Sequence, residues 1–323
     1  MVASHPVTLN RRPPAPSESL AGDSLVPASR IRDIAALLKL RITSLVVLTA
    51  WAGFFLASAK SGKSSLTLLL LHSLVGIALT SGGASALNQV IEREADGKML
   101  RTRQRPLPTG RMRPWQAAAL AIVLMISGGA YLFLTANPLT SLLALATAAT
   151  YLGAYTPLKK VSPISTFVGA FPGAMPPLLG WVAARGKVEW EAFALFAIVF
   201  VWQFPHFHSI AWLYREDYER AGIRMLPVVD NGGQATIRDI LLYSVALIPI
   251  SLLPVWLHVS GNSYLVGAIL LGGGLLSFGI RLARLKLGPA APSSKKYARN
   301  LLQATVIYLP LLFILMMVDS IRK

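Results

Sequence analysis

An all-α, polytopic membrane fold with nine transmembrane helices is the architecture that the sequence predicts, on three observations. The 323-residue chain is 54% hydrophobic and only 14% charged, whereas a soluble domain devotes about a quarter of its residues to charge. Its apolar residues collect in runs of the ~20 that a helix needs to cross a bilayer. Its 31 Lys and Arg against 14 Asp and Glu, a net charge of +17, gather between particular runs. Together these exclude a soluble globular enzyme. A nucleic-acid-binding protein is excluded because its basic residues would need a water-facing surface that the runs do not leave, and the hydrophobicity excludes a disordered chain.

Residues 1–32 are polar and Pro-rich, carry Glu18 and Asp23, and have no apolar core or cleavage pattern. They predict a disordered cytosolic tail rather than a signal or transit peptide, leaving 33–323 as the membrane domain. The first four spans are predicted at 42–59, 66–91, 115–134 and 138–155. The fifth, 164–184, contains Pro172, Pro176 and Pro177, which a membrane helix tolerates when neighbours satisfy the freed backbone. The sixth and seventh fall at 191–213 and 239–258. The eighth, 263–282, is thinned by Gly272, Gly273 and Gly274, and the ninth is 300–319.

With the N-terminus in the cytosol, 25 of the 31 basic residues lie on the cytosolic side, as the positive-inside rule requires, and the alternation favours an odd number of spans. The C-terminus is then outside. Eleven of the 14 acids share the cytosolic side or the helix ends entering it, and none is at the middle of a span. That weighs against an ion-coupled transporter, which keeps an ionisable group at mid-membrane. With no Cys in the chain, thiolate chemistry and Cys-based metal sites are excluded, so any metal sits on oxygen or imidazole.

Two acidic clusters stand at cytosolic exits. The second span ends in Asn88-Gln-Val-Ile-Glu92-Arg-Glu-Ala-Asp96, whose polar oxygens at i, i+4 and i+8 form one helical stripe, rising about 6 Å per step. Such a stripe suits Mg²⁺, which takes one or two carboxylates together with substrate phosphates; it is equally the pattern of a solvated helix end paired with Arg93 and Lys98. The loop that follows carries Lys98, Arg101, Arg103, Arg105 and Arg111 among turn residues. Guanidinium groups beside a metal are what a diphosphate needs, although Arg residues there also enforce topology or touch anionic lipid.

The second cluster is Tyr214-Arg-Glu216-Asp217-Tyr-Glu219-Arg220, after Trp202-Gln-Phe-Pro-His206-Phe-His208. Arg105-Pro-Leu-Pro108 and Arg224-Met-Leu-Pro227 form a faint internal echo downstream of the two clusters. His206 and His208 diverge by about 200° on a helix, so they do not share a ligand; His206 is the one expected to face a cavity.

These strings resemble the intramembrane prenyltransferases of the UbiA superfamily, over about residues 30–320. The carrying segments are Asn88 through Gly110, Tyr155-Thr-Pro-Leu-Lys159-Lys160, Gly173-Ala-Met-Pro-Pro177 with Gly180-Trp181, Trp202-Gln203 with Pro205-His206-Phe207, and Asp217-Tyr218 with Ala221-Gly222 and Met225-Leu-Pro-Val228. The Trp-Gln-x-Pro-His-Phe string favours the haem branch, the protohaem IX farnesyltransferases, over quinone or chlorophyll relatives. The resemblance implies nine helices around a central cavity in a bacterial inner membrane. It implies transfer of the farnesyl group of farnesyl diphosphate to a vinyl group of protohaem IX (haem b), with addition of water and release of diphosphate.

The same resemblance implies Asn88, Glu92, Asp96 and Asp217 as catalytic residues, with Mg²⁺ on Glu92, Asp96 and Asp217. Lys98, Arg101, Arg105, Lys159 and Lys160 are expected on the diphosphate and His206 on the haem, with membrane lipid around the site and haem A synthase as a candidate partner. The superfamily's second motif commonly pairs two Asp four apart, but Ala221 and Leu213 flank Asp217 at that spacing here. His208 stands where an aromatic residue is expected and receives no role. The competing readings are a prenyltransferase for another aromatic acceptor and a non-enzymatic haem or ion transporter.

Overall fold

Eight helices are long and apolar enough to cross a bilayer among residues 30–321, which the computed structural model describes. A short helix, α1 (Arg30–Leu37), precedes α2 (Leu40–Lys60), α3 (Leu68–Lys98) and α4 (Pro114–Thr135). The boundary expected for the tail therefore falls inside α1, and the rest of that tail lies outside the described residues. The span expected at 138–155 is compound. It comprises α5 (Pro138–Thr150), a π-helical turn at Tyr151–Tyr155 and α6 (Thr156–Leu158), so it is not among the eight helices of the described residues that are long and apolar enough to cross.

Next come α7 (Ser165–Arg185) and α8 (Trp190–Leu213), then the short α9 (Arg215–Arg220) and α10 (Leu226–Val229). The chain ends with α11 (Gln234–Ser251), α12 (Leu253–Trp256), α13 (Asn262–Arg284) and α14 (Pro292–Ile321). Both α3 and α14 run past the ends expected from hydropathy. The extra turns of α3 hold the Glu92 and Asp96 stripe, and those of α14 bring Lys295 to Glu216 at 2.8 Å.

Large apolar side chains such as Leu134, Phe133, Val123 and Leu270 are more than half exposed on these helices, the outward face that a multi-pass protein turns to lipid. Helix α7 is the central one: 67% of its apolar window is buried, against 28% for α4. Close approach is what allows this. A Cβ on Gly53 of α2 would come within 1.9 Å of the Pro177 carbonyl oxygen, and one on Gly180 of α7 within 1.8 Å of the Ala50 carbonyl oxygen. These glycines let two backbones touch, the small-residue contact that packs helices in lipid. Helix α14 returns against α2 and α8 and closes the bundle.

The end of the bundle carrying Lys60 and Arg185 is tied by ion pairs. Arg185 Nε and Lys187 Nζ each lie 2.9 Å from the Glu189 carboxylate, which also accepts from Trp181 Nε1 at 2.9 Å. Those hydrogen bonds, first among them that of Arg185, hold the Glu189 carboxyl down at about 2. Lys60 bonds Glu191 and the Leu257 carbonyl, joining α2, α8 and the turn after α12.

A candidate prenyl-transfer chamber

A cavity of about 390 Å³ opens where α3 ends. Its walls come from α2, α3, α5 with its π-helical turn, α7 and α8, and from the loops after α3 and α9; α11, α13 and α14 contribute nothing to its lining. Its depth is lined by Ile77, Val46, Ala144, Pro176 and Leu179, and its mouth by Glu92, Asp96, Lys39, Lys159, Arg101 and Arg105.

At the mouth every carboxylate is matched by a cation. Arg105 Nη1 lies 2.7 Å from Asp96 and Lys159 Nζ lies 2.8 Å from Glu92. The Lys159 ammonium also sits 4.4 Å from the centre of the Tyr155 ring, which itself lies near the Tyr151 ring at 5.6 Å. Burial works against the charge on Lys159, but Tyr155 and Glu92 more than offset it and hold its pKa above the usual lysine range. The π-helical turn presents both tyrosines to the cavity, a distortion typical of functional positions.

Lys39 is the residue that sequence reasoning missed. It sits between α1 and α2 with φ 48°, a left-handed conformation that is uncommon for a residue with a Cβ. Its Nζ donates to Asn88 Oδ1 at 2.9 Å. Burial, then the nearby Arg105 and Lys159, push its pKa down to about 7. The only signal in the sequence was a Lys embedded in Ala-Ala-Leu-Leu-Lys39-Leu-Arg41 at the edge of an apolar run.

The expected residues separate into two groups. Glu92, Asp96, Arg101, Arg105 and Lys159 come together on the cavity. Asn88 is fully buried and acts as a bracket, accepting from Lys39 and donating to Thr156 Oγ1 at 3.1 Å. Asp217 is not on the cavity lining: its carboxylate accepts from the backbone N–H of Leu100 at 3.1 Å and of Arg101 at 3.3 Å, and pairs with Arg220. Burial works against its charge, but those hydrogen bonds, the Leu100 N–H first, draw its pKa below the usual range. No group of three His, Asp or Glu is gathered among the described residues, and Asp217 stands apart from Glu92 and Asp96, turned to the backbone of Leu100 and Arg101.

Lys98 and Lys160 are exposed and do not line the cavity. His206 does not face the cavity either. It stacks on Trp202 at 4.6 Å, and its Nδ1 bonds Thr305 Oγ1 of α14 at 2.9 Å. The side chains of α8 that reach the cavity are Gln203, Phe207 and Ile210, an i, i+4, i+7 stripe. His206 precedes Phe207 by one residue, about 100° around the helix, and so meets α14. His208 is buried, with Nε2 3.8 Å from the Asp239 carboxylate.

The donor set at the mouth fits a hard divalent cation, with two carboxylates one turn apart, water access and no imidazole directed at them. What it can do chemically is bind a highly charged oxyanion against lysines and arginines while an apolar tail occupies the depth.

Residues 46–302 match the profile of the UbiA prenyltransferase family. The chain is 55% identical to the protein of Koribacter versatilis described as protoheme IX farnesyltransferase, over 90% of this chain and 94% of that one. Among solved structures, a digeranylgeranylglyceryl phosphate synthase superimposes with a TM-score of 0.73 at 18% identity, covering 91% of this chain and 99% of the other. A UbiA homologue from Archaeoglobus fulgidus bound to GPP and Mg²⁺ superimposes with a TM-score of 0.53 at 16% identity, over 88% and 99% of the two chains. These two likenesses are of fold.

Proposed function

Because the chain belongs to the UbiA prenyltransferase family, we propose that it transfers the farnesyl group of farnesyl diphosphate to a vinyl group of protohaem IX, releasing diphosphate. The observation that carries the reading is the polarity of one cavity, which has Glu92, Asp96, Lys39, Lys159 and Arg105 at its mouth and an apolar depth. The 55% identical relative, described as a protoheme IX farnesyltransferase, supports the choice of acceptor and chain length.

Lys39, Lys159 and Arg105 take the diphosphate oxygens. In the structure Arg105 and Lys159 pair with Asp96 and Glu92, and those pairs loosen as the diphosphate arrives. Mg²⁺ held on Glu92 and Asp96 would supply the charge neutralisation that lets diphosphate leave an allylic carbon. The Tyr151 and Tyr155 rings offer π faces to the positive charge that develops there, and the apolar depth keeps that charge from bulk water. Asp217 acts at one remove, holding the backbone at Leu100 and Arg101 so that Arg101 and Arg105 stay at the mouth. The haem is held by the chamber walls.

The excess of Lys and Arg around this mouth supports a cytosolic N-terminus and a mouth facing the cytosol of a bacterial cell, at its inner membrane. With 138–158 as a ninth crossing, the C-terminus is outside. A product destined for a further haem-modifying enzyme would make haem A synthase a neighbour in that membrane. The deciding measurement is product mass after mixing the purified protein, haem b, farnesyl diphosphate and Mg²⁺. Haem carrying one hydroxyethylfarnesyl chain is expected; diphosphate release only with a different aromatic acceptor would overturn the assignment.

A further inference from the structure

One side chain deep in the chamber carries a hydrogen-bonding group that diphosphate binding does not use. Gln203 of α8 is 3% exposed, and both of its amide protons are committed. Nε2 donates to the Ala170 carbonyl of α7 at 3.0 Å and to the Val199 carbonyl, one turn back on α8, at 3.2 Å. A flipped amide would set its oxygen against two carbonyl oxygens, so the orientation is fixed. Oε1 is left as an acceptor with no hydrogen-bond donor among the described residues. By contrast, the hydroxyls of Thr80 and Thr147, also on the wall, donate to carbonyls of their own helices.

Oε1 lies against Gly173, where a Cβ would come within 2.0 Å of it. Gly173 thus leaves room for the amide oxygen at the cavity wall, which both residues line. Pro172 and Gly173 line the same stretch of wall. Pro176 and Pro177 have no N–H, so the carbonyls of Pro172 and Gly173 lack the donors that a helix supplies four residues on. An unpartnered acceptor on the wall of an apolar space calls for a small molecule with protons to donate, and neither an isoprenoid chain nor a vinyl group has any.

We propose that Gln203 Oε1, with the carbonyls freed by the two prolines, holds and orients the water molecule that captures the cation formed on the acceptor. The inference rests on the reaction proposed above. In that reaction the C1–O bond of farnesyl diphosphate breaks and diphosphate keeps the electron pair. The terminal vinyl carbon of the acceptor bonds to C1, which leaves a cation on the vinyl carbon next to the ring. The water oxygen bonds to that carbon and loses one proton, which leaves with the diphosphate. Both water protons engage these acceptors, so a lone pair is free to face the cation. Without a held water, the same cation loses a neighbouring proton and gives an alkene, lighter than the alcohol by one water.

The test is the ratio of alcohol to alkene in the haem product, measured by mass in membranes containing the full chain, haem b, farnesyl diphosphate, Mg²⁺ and isotopically labelled water. Because the ratio is taken from product alone, partial loss of folded protein cancels. Gln203→Met removes the acceptor; Gly173→Ala leaves Gln203 chemically intact but forces its oxygen out of place. Both are expected to lower the ratio by about tenfold, the scale of one hydrogen bond in a barrier. A ratio unchanged in both variants while total product falls would overturn the water-holding role and leave the proposed reaction standing. Absence of any haem-derived product from the unaltered protein would overturn both.

Discussion

Two acidic clusters end two helices of one bundle, and they do different work. Glu92 and Asp96 at the end of α3 face the chamber and are each matched by a cation, Lys159 or Arg105, that stands on the same wall. Asp217, on α9 after α8, is turned to the protein backbone and caps the N–H groups of Leu100 and Arg101. The first cluster turns its charge to the cavity, and the second accepts from the loop that carries Arg105. The resemblance implied Mg²⁺ on both clusters, although Ala221 and Leu213 already set the second apart. The comparison teaches that a carboxylate whose lone pairs are filled by backbone donors positions a site, whereas one paired with long flexible cations can exchange its partner for a ligand.

The largest expected effect separates the two clusters directly. Glu92→Gln or Asp96→Asn should lower turnover roughly a thousandfold, the scale of losing charge stabilisation at a leaving group, with the protein still inserted in membranes. Asp217→Asn should lower it only about tenfold, as a loop contact would, with the Mg²⁺ concentration for half-activity unchanged. A shift in that Mg²⁺ dependence as large as that of Asp96→Asn would erase the distinction. Next in size, Lys159→Met strands the half-buried Glu92 carboxylate and should cost about 2 kcal/mol in stability. Adding Glu92→Gln should return part of it, as a double-mutant comparison of unfolding in detergent would reveal.

Lys39→Met should raise the KM for farnesyl diphosphate about tenfold, one charge-assisted hydrogen bond's worth. The sign of its pH dependence follows from a pKa near 7: below that pH Lys39 is an ammonium that attracts diphosphate, and above it the attraction is lost. KM in the unaltered protein should therefore climb as pH rises past 7, and the climb should be shallower in Lys39→Met. The smallest effect concerns His206. Because it bonds Thr305 rather than facing the chamber, His206→Ala should leave the haem absorption spectrum unchanged and cost about 1 kcal/mol of stability. A lost or shifted haem band would return His206 to the site.

Much of this architecture is legible in the sequence, because lipid imposes length and hydropathy on every crossing. The expected spans 115–134, 164–184 and 191–213 differ by a residue from α4, α7 and α8. The 138–155 segment was not legible as a broken helix, since a π-helical turn leaves no mark in hydropathy. The stripe was only partly legible. Positions four apart drift by about 40°, so Asn88, two steps before Asp96, has turned away from the mouth and towards Lys39 and Thr156. The facing of His206 could not be read because α8 is apolar on all sides, so its sequence gives no contrast between a chamber wall and a helix contact. Nor does the Arg-x-Leu-Pro echo carry over into function: Arg105 reaches Asp96, whereas Arg224 is exposed and its backbone N–H bonds the Lys159 carbonyl.

The lining of the chamber stops at Leu179, and the next residues of α7, Trp181 and Val182, are fully buried above the Arg185 and Glu189 ion pairs. Towards that end of α7 the chamber is closed by buried side chains. In the proposed reaction its two products must therefore part company at the same end: diphosphate dissolves into water at the mouth, while the prenylated haem, too greasy to follow, slips sideways into lipid. Turnover then sorts its products between two phases of the cell, and neither crosses the membrane.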